Sequence, residues 1–258
     1  DNNTLAISNV VGSNIFNLMV VLGVCAVIAE LKVSKDVLKR DYPFSVLCAI
    51  LLLVAGVIGM TLGRMDGIIF LVIFAVFIFY LIKSALDARK RGEISEKERE
   101  MNEEMEEMED LPVWKCILYI VGGAIAIKYG GDWVVDSASV IATSFGISAT
   151  LVGLTICSVG TSLPELVTSI VAARKNELDM AVGNVVGSNV FNILMVLGIA
   201  ATVSPIAFLT ENIIDIVVLL VFSLITWVLC VTQKKLSKKE GILMLVLYII
   251  YLVYICIR

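Results

Sequence analysis

The sequence has 258 residues, of which 59% are hydrophobic and 17% charged, with a formal net charge of −4 and no histidine. A soluble domain carries about 25% charged residues, so this composition excludes one. The lack of histidine and of paired-cysteine motifs excludes a zinc or redox centre. The acids crowd between Glu93 and Asp110, so the net charge describes one solvated segment and implies no nucleic-acid or basic partner.

Apolar runs of roughly 20 residues, long enough to cross about 30 Å of hydrocarbon, predict eight spans at residues 5–29, 44–62, 67–86, 111–138, 147–173, 180–203, 213–231 and 241–257. Lipid offers nothing to hydrogen-bond a bare backbone, so each span must be helical. The expected class is an all-α membrane protein. In the first span Asn9, Ser13 and Asn17 recur at every fourth residue, a polar stripe on an apolar helix. Lys32, Lys35, Lys39 and Arg40 follow it. Residues 89–110 form the one linker, basic at Arg89-Lys90-Arg91 and then acidic. Trp114 and Trp133 in the fourth span, and Trp227 in the seventh, read as interfacial anchors or packing. Lys128, Asp132 and Asp136 form either a local charge series or part of an aqueous path.

The fifth span contains Ser158-Val159-Gly160-Thr161-Ser162-Leu163-Pro164-Glu165. A carboxylate at mid-span costs roughly 2.5–3.5 kcal/mol on insertion scales, a cost usually tolerated because the group binds an ion or relays a proton. Thr161 and Ser162 lie four and three residues before Glu165, so their oxygens share its side. Pro164 lacks an N–H and frees the carbonyl of Gly160. In the sixth span Asn184, Ser188 and Asn192 repeat the first span's stripe, and Gly183 and Gly187 would admit a close neighbouring backbone. Asn9 and Asn184 stand as interhelical glue or capping groups. The six cysteines lie in or beside apolar spans and serve as small hydrophobes.

Lys and Arg alone set orientation. The clusters after spans one, three, five and seven, including Arg174-Lys175 and Lys234, Lys235, Lys238 and Lys239, fall on one face when eight spans alternate; the other face has only Arg64 and Arg258. The rich face, with linker 89–110, is expected in the cytoplasm.

Two segments are nearly the same. AISNVVGSNIFNLMVVLG starts at Ala6 and AVGNVVGSNVFNILMVLG at Ala181. They sit in spans one and six, an odd number of crossings apart, and so run in opposite directions. That is an inverted-topology repeat, whose substrate site lies near the bilayer midplane. The second copy follows two spans and the first follows five residues, so symmetry predicts roughly 65 residues and two helices ahead of Asp1, ten helices in all. Residues 1–88 are then the remainder of the first half-repeat, 89–110 the linker, and 111–258 the second half-repeat. The pooled donors are hydroxyls, amides, carbonyls and one carboxylate, hard oxygens suited to Ca²⁺ or Na⁺.

The Gly160–Glu165 segment and the Gly183–Asn192 segment together resemble the second α-repeat of the calcium/cation antiporter superfamily, in its compact prokaryotic sodium/calcium exchanger form. The resemblance covers essentially the whole chain. It implies ion ligation by Glu165, Thr161 and Ser162, an oxygen from Ser158, and Ser13 with Asn17 and Ser188 with Asn192 from the paired motifs. It also implies a sliding gate at residues 122–138 and a partner acid for Glu165 in the segment ahead of Asp1. Some members have Asp at the position of Asn192, and Ser8 stands where the family usually has Gly.

The expected function is secondary exchange of Na⁺ for Ca²⁺ by alternating access at one midplane site, with H⁺/Ca²⁺ or K⁺-dependent Na⁺/Ca²⁺ exchange as alternatives. Ca²⁺ and Na⁺ are substrates, and no cofactor is expected. The protein is expected in the plasma (inner) membrane as a monomer. An enzyme is not expected, because one buried acid without histidine supplies no nucleophile and base.

Overall fold

The computed structural model describes residues 4–90, 112–145, 158–175, 177–233 and 235–257. Linker residues 91–110, span-five residues 147–157 with Cys157, and the basic residues Lys234 and Arg258 lie outside them. Among the described residues seven helices are long and apolar enough to cross a membrane. Described in part, the remaining expected span is broken into two pieces.

The first crossing is α1 (Thr4–Phe16), a π-helical turn (Asn17–Val21) and α2 (Leu22–Ile28). It leads through β1 (Leu31–Lys32) to a second π turn (Val37–Asp41) and α3 (Tyr42–Gly59). After β2 (Thr61–Leu62), α4 (Arg64–Lys90) completes the first half. The second half opens with α5 (Val113–Ser144), α6 (Ser158–Thr161) and α7 (Leu163–Arg174). It continues with α8 (Leu178–Phe191), a π turn (Asn192–Val196), α9 (Leu197–Val203) and β3 (Ile206–Ala207). α10 (Thr210–Gln233), β4 (Lys235–Leu236) and α11 (Lys238–Ile257) close the fold. Most helix ends fall within a turn of the hydropathy boundaries. The span expected from residue 44 instead starts at Val37, because its first turn carries Lys39, Arg40 and Asp41, charges that a helix end outside hydrocarbon accepts and a hydropathy window rejects.

The two halves interlock. β1 pairs antiparallel with β4, and β2 with β3, so each small ribbon joins one half to the other. At the β2–β3 end, Met60 caps α3 in the left-handed region, φ 46°, the one such non-glycine among the described residues. Phe208 N donates to Met60 O at 2.9 Å, so the partner half holds this strained residue. The ribbons also fix direction. α2 ends beside β1 and β4, whereas α9 ends beside β3 and β2, at the other end of α3. The motif helices therefore run oppositely, as an inverted repeat requires. Lys32, Lys35, Lys39, Arg40, Arg174, Lys175, Lys235, Lys238 and Lys239 share the β1–β4 end, and Arg64 lies at the other.

Close backbone approach holds the crossings together. α2 packs on α11 and α9 on α4. Any Cβ on Gly241 would lie 2.6 Å from Gly23 O, and one on Gly67 would lie 2.6 Å from Gly198 O. Without a hydrophobic force between helices in lipid, such small-residue contacts let dispersion bind them. Phe16 meets Tyr248 edge-on at 5.7 Å, and its counterpart Phe191 meets Phe74 edge-on at 5.8 Å. By contrast, Gly183 and Gly187, expected from their spacing to seat a neighbouring backbone, have nothing among the described residues within 4 Å of an added Cβ. Spacing shows that two glycines share a face, but not which face meets a neighbour.

Candidate functional site

The site forms where α6, α7 and the two motif helices meet. Helical geometry breaks at Ser162, between α6 and α7, with Pro164 in the first turn of α7. A proline is accepted there because the first N–H groups of a helix have no internal partner. The break lays α6 against α1, and α7 against α8 and the first π turn.

Four of the expected residues form a hydroxyl cluster. Ser13 Oγ donates to Ser158 O at 3.2 Å and lies 2.6 Å from Thr161 Oγ1. Thr161 Oγ1 donates to Ser158 O at 3.1 Å, and Ser162 Oγ donates to Ser13 O at 3.4 Å. Ser13, Ser158 and Ser162 are buried. A second group brings the Ser188 side chain near the carboxyl of Glu165. Glu165 Oε2 is buried and finds no hydrogen-bond partner.

Asn17 and Asn192 enter a third group with two residues that the every-fourth-residue pattern leaves out, Asn14 and Asn189. Asn14 Nδ2 donates to Asn189 O at 3.1 Å, and Asn189 Nδ2 returns a bond to Asn14 O at 3.3 Å. Asn17 Nδ2 donates to Asn189 Oδ1 at 3.3 Å, and Asn192 Nδ2 to Asn14 Oδ1 at 3.0 Å. Each bond thus has its counterpart under exchange of the two copies, and the pseudo-twofold axis passes through this amide ring. The signal was in the sequence, since both copies read Gly-Ser-Asn. Helical spacing selected the other asparagines instead.

With its amide nitrogen committed to the ring, Asn17 Oδ1 is fixed in place, buried and without a hydrogen-bond partner. Buried acceptors are almost always satisfied, yet Asn17 Oδ1 and Glu165 Oε2, like Asn9 Oδ1, have no hydrogen-bond partner among the described residues. Among the described residues no three His, Cys, Asp or Glu side chains converge. The donor set is one carboxylate with hydroxyls and amides. Both motif helices pass into π turns at their last asparagine, with Leu22 N bonded to Asn17 O and Leu197 N to Asn192 O. A π turn adds a residue to the turn and re-aims the rest of the helix, and such turns concentrate at functional sites.

The ambiguous residues separate. Asn184 Nδ2 reaches Thr168 Oγ1 at 3.1 Å and Ser169 Oγ at 3.0 Å, which makes it glue between α8 and α7. Its counterpart Asn9 has a buried Oδ1 with no hydrogen-bond partner. Lys128 pairs with Asp132 at 2.9 Å along the exposed face of α5, which is the local charge series. Trp227 is a packing group, its Nε1 donating to Leu38 O at 3.2 Å.

Comparison with known proteins agrees with this architecture. The family described as sodium/calcium exchanger protein matches residues 1–83 and 115–257. Inner membrane protein YrbG of Escherichia coli is 36% identical over 230 residues, covering 86% of this chain and 69% of that protein. Sodium/calcium exchanger MaX1 of Methanosarcina acetivorans is 28% identical, over 96% of this chain and 79% of its own length. A solved structure of the sodium-calcium exchanger NCX_Mj, soaked with Na⁺ and Sr²⁺, superposes with a TM-score of 0.75 at 29% identity, covering 97% of this chain and 77% of that one.

Proposed function

The chain belongs to the sodium/calcium exchanger family, and from that premise we propose that it exchanges Na⁺ for Ca²⁺ through the site between its inverted motif helices. The observation that carries this reading is the pair of buried, partnerless oxygens, Asn17 Oδ1 and Glu165 Oε2. Ca²⁺ takes about 6–8 oxygen ligands. Glu165 supplies the negative charge, and Thr161, Ser162, Ser158 and Ser13 supply hydroxyl or carbonyl oxygens. Ser188, Asn192 and Asn17 complete the set. Na⁺ accepts the same hard oxygens with less charge, so the two ions compete for one place.

Exchange by alternating access needs one part to move while the amide ring holds. α5 is the moving part: among the described residues none of its own is buried, and it packs on α6 and α7. Its displacement opens the site to one side or the other. Residues 1–88 and 111–258 act as the two half-repeats of one monomer, joined by linker 89–110. The lysine-rich end faces the cytoplasm of the plasma membrane.

Proteoliposomes carrying the intact protein test the proposal. An imposed Na⁺ gradient should drive Ca²⁺ uptake, and Glu165→Gln should lower the rate by roughly 10- to 100-fold, because it removes the negative charge that Glu165 brings to these oxygens. Uptake indifferent to Na⁺ but driven by a pH gradient would overturn sodium exchange and make Glu165 a proton carrier. Flux that also requires K⁺ would assign potassium co-transport. Unchanged flux in Glu165→Gln would remove the site.

A further inference from the structure

At the lysine-rich end, the start of the crossing that begins at Val37 and the close of the one that ends at Thr232 frame a cavity of about 600 Å³. This volume lies within the range of small-molecule sites, about 300–1,000 Å³. Leu38, Pro43, Trp227 and Val231 line it with apolar surface, and Lys35 and Lys39 bring two ammonium groups to it. The wall is held in place: the indole of Trp227 is fixed by its bond to Leu38 O, and Val37 and Leu38 are buried.

Both lysines are exposed, and neither makes an ion pair or hydrogen bond among the described residues. Two of the three acids around them are engaged elsewhere. Asp41 pairs with Arg40 at 2.7 Å and Glu30 pairs with Lys235 at 2.8 Å, while exposed Asp36, beside Lys35, offsets one of the two lysine charges. The cavity therefore combines a net positive charge with an apolar wall at the end of two spans. A soluble anion would satisfy the charge and leave the wall bare. A neutral lipid would cover the wall and leave the charge unmatched.

We propose that this cavity binds one anionic phospholipid, with its phosphate at Lys35 and Lys39 and the first part of an acyl chain along Trp227 and Val231. Basic pockets between membrane helices on the cytoplasmic side recognise anionic headgroups in this way. The lipid occupies the seam between α3 of the first half and α10 of the second, helices that pack directly on each other.

The protein in phosphatidylcholine nanodiscs, titrated with phosphatidylglycerol and read by native mass spectrometry, tests this. A Lys35→Gln/Lys39→Gln variant should lose roughly 25-fold in phosphatidylglycerol affinity, about 5-fold per charge, and nothing toward phosphatidylcholine. Lys238→Gln/Lys239→Gln removes two exposed charges from the same end outside the cavity and should change affinity less than about 2-fold. Val231→Trp fills the cavity with both lysines intact and should abolish the tight lipid. An undiminished preference for phosphatidylglycerol in Lys35→Gln/Lys39→Gln, or an equal loss in Lys238→Gln/Lys239→Gln, would overturn the proposal. Displacement of the lipid by millimolar inorganic phosphate would overturn it too, in favour of a soluble anion.

Discussion

The two copies of the motif helix carry almost the same residues but, among the described residues, have different neighbours. Around the first copy, α6, α7, α10 and α11 close in, so Asn14 and Asn17 are fully buried and Phe16 is 5% exposed. The second copy packs on α3, α4 and α7, and its Phe191 is 44% exposed. What the copies share is internal: the π turn after the last asparagine and the exchanged amide bonds. What differs is the set of polar groups each meets. The first copy meets the carbonyl of Ser158 and the hydroxyls of Thr161 and Ser162, whereas the second brings Ser188 near the carboxylate. Repetition sets the geometry within each helix, and packing assigns the chemistry.

Paired substitutions test that contrast. The largest expected difference is at the phenylalanines: Phe16→Ala should cost about 3 kcal/mol through the cavity it leaves, and Phe191→Ala about 1 kcal/mol. Reversible unfolding in mixed micelles measures both, and equal costs would contradict the unequal burial. Next comes the amide ring. Asn14→Leu and Asn189→Leu should each cost roughly 1–2 kcal/mol, since each leaves buried amide partners unmade. The double variant should cost less than the sum, because the two side chains serve one ring. Strict additivity would show that the ring is not a unit.

Smaller effects separate close contact from open space. Gly67→Ala puts a methyl 2.6 Å from Gly198 O and 2.7 Å from Thr202 N, and should destabilise by about 1–2 kcal/mol by prying α4 from α9. Gly241→Ala should do the same to α11 and α2, where the added Cβ would lie 2.6 Å from Gly23 O. Gly183→Ala meets nothing within 4 Å and should stabilise by roughly 0.5–1 kcal/mol through helix propensity alone. Destabilisation there would mean that a neighbour does approach this face.

Much of the site was legible in the residues. Glu165 stood out because a carboxylate inside an apolar run is costly, and Ser13, Asn17, Ser188 and Asn192 because an exact polar repeat in two spans is not produced by lipid solubility. Asn14 and Asn189 were equally repeated. They were missed because helical periodicity groups residues of one face, while their partners lie across a twofold axis that one helix cannot reveal. The Lys35–Lys39–Trp227 cavity was also invisible, since Trp227 meets Leu38 only after the two halves interlock.

The amino-acid sequence by itself determined the membrane class, the approximate placement of most spans, the charged end and the opposed direction of the repeats. Each of these depends on local quantities: transfer free energy along a helix, charge at its ends, and the parity of crossings. Only the tertiary structure decided which glycines touch, where the helices widen into π turns, and which amides bond across the axis. Those outcomes depend on distances between residues far apart in the chain, where close packing and hydrogen-bond geometry change over tenths of an ångström.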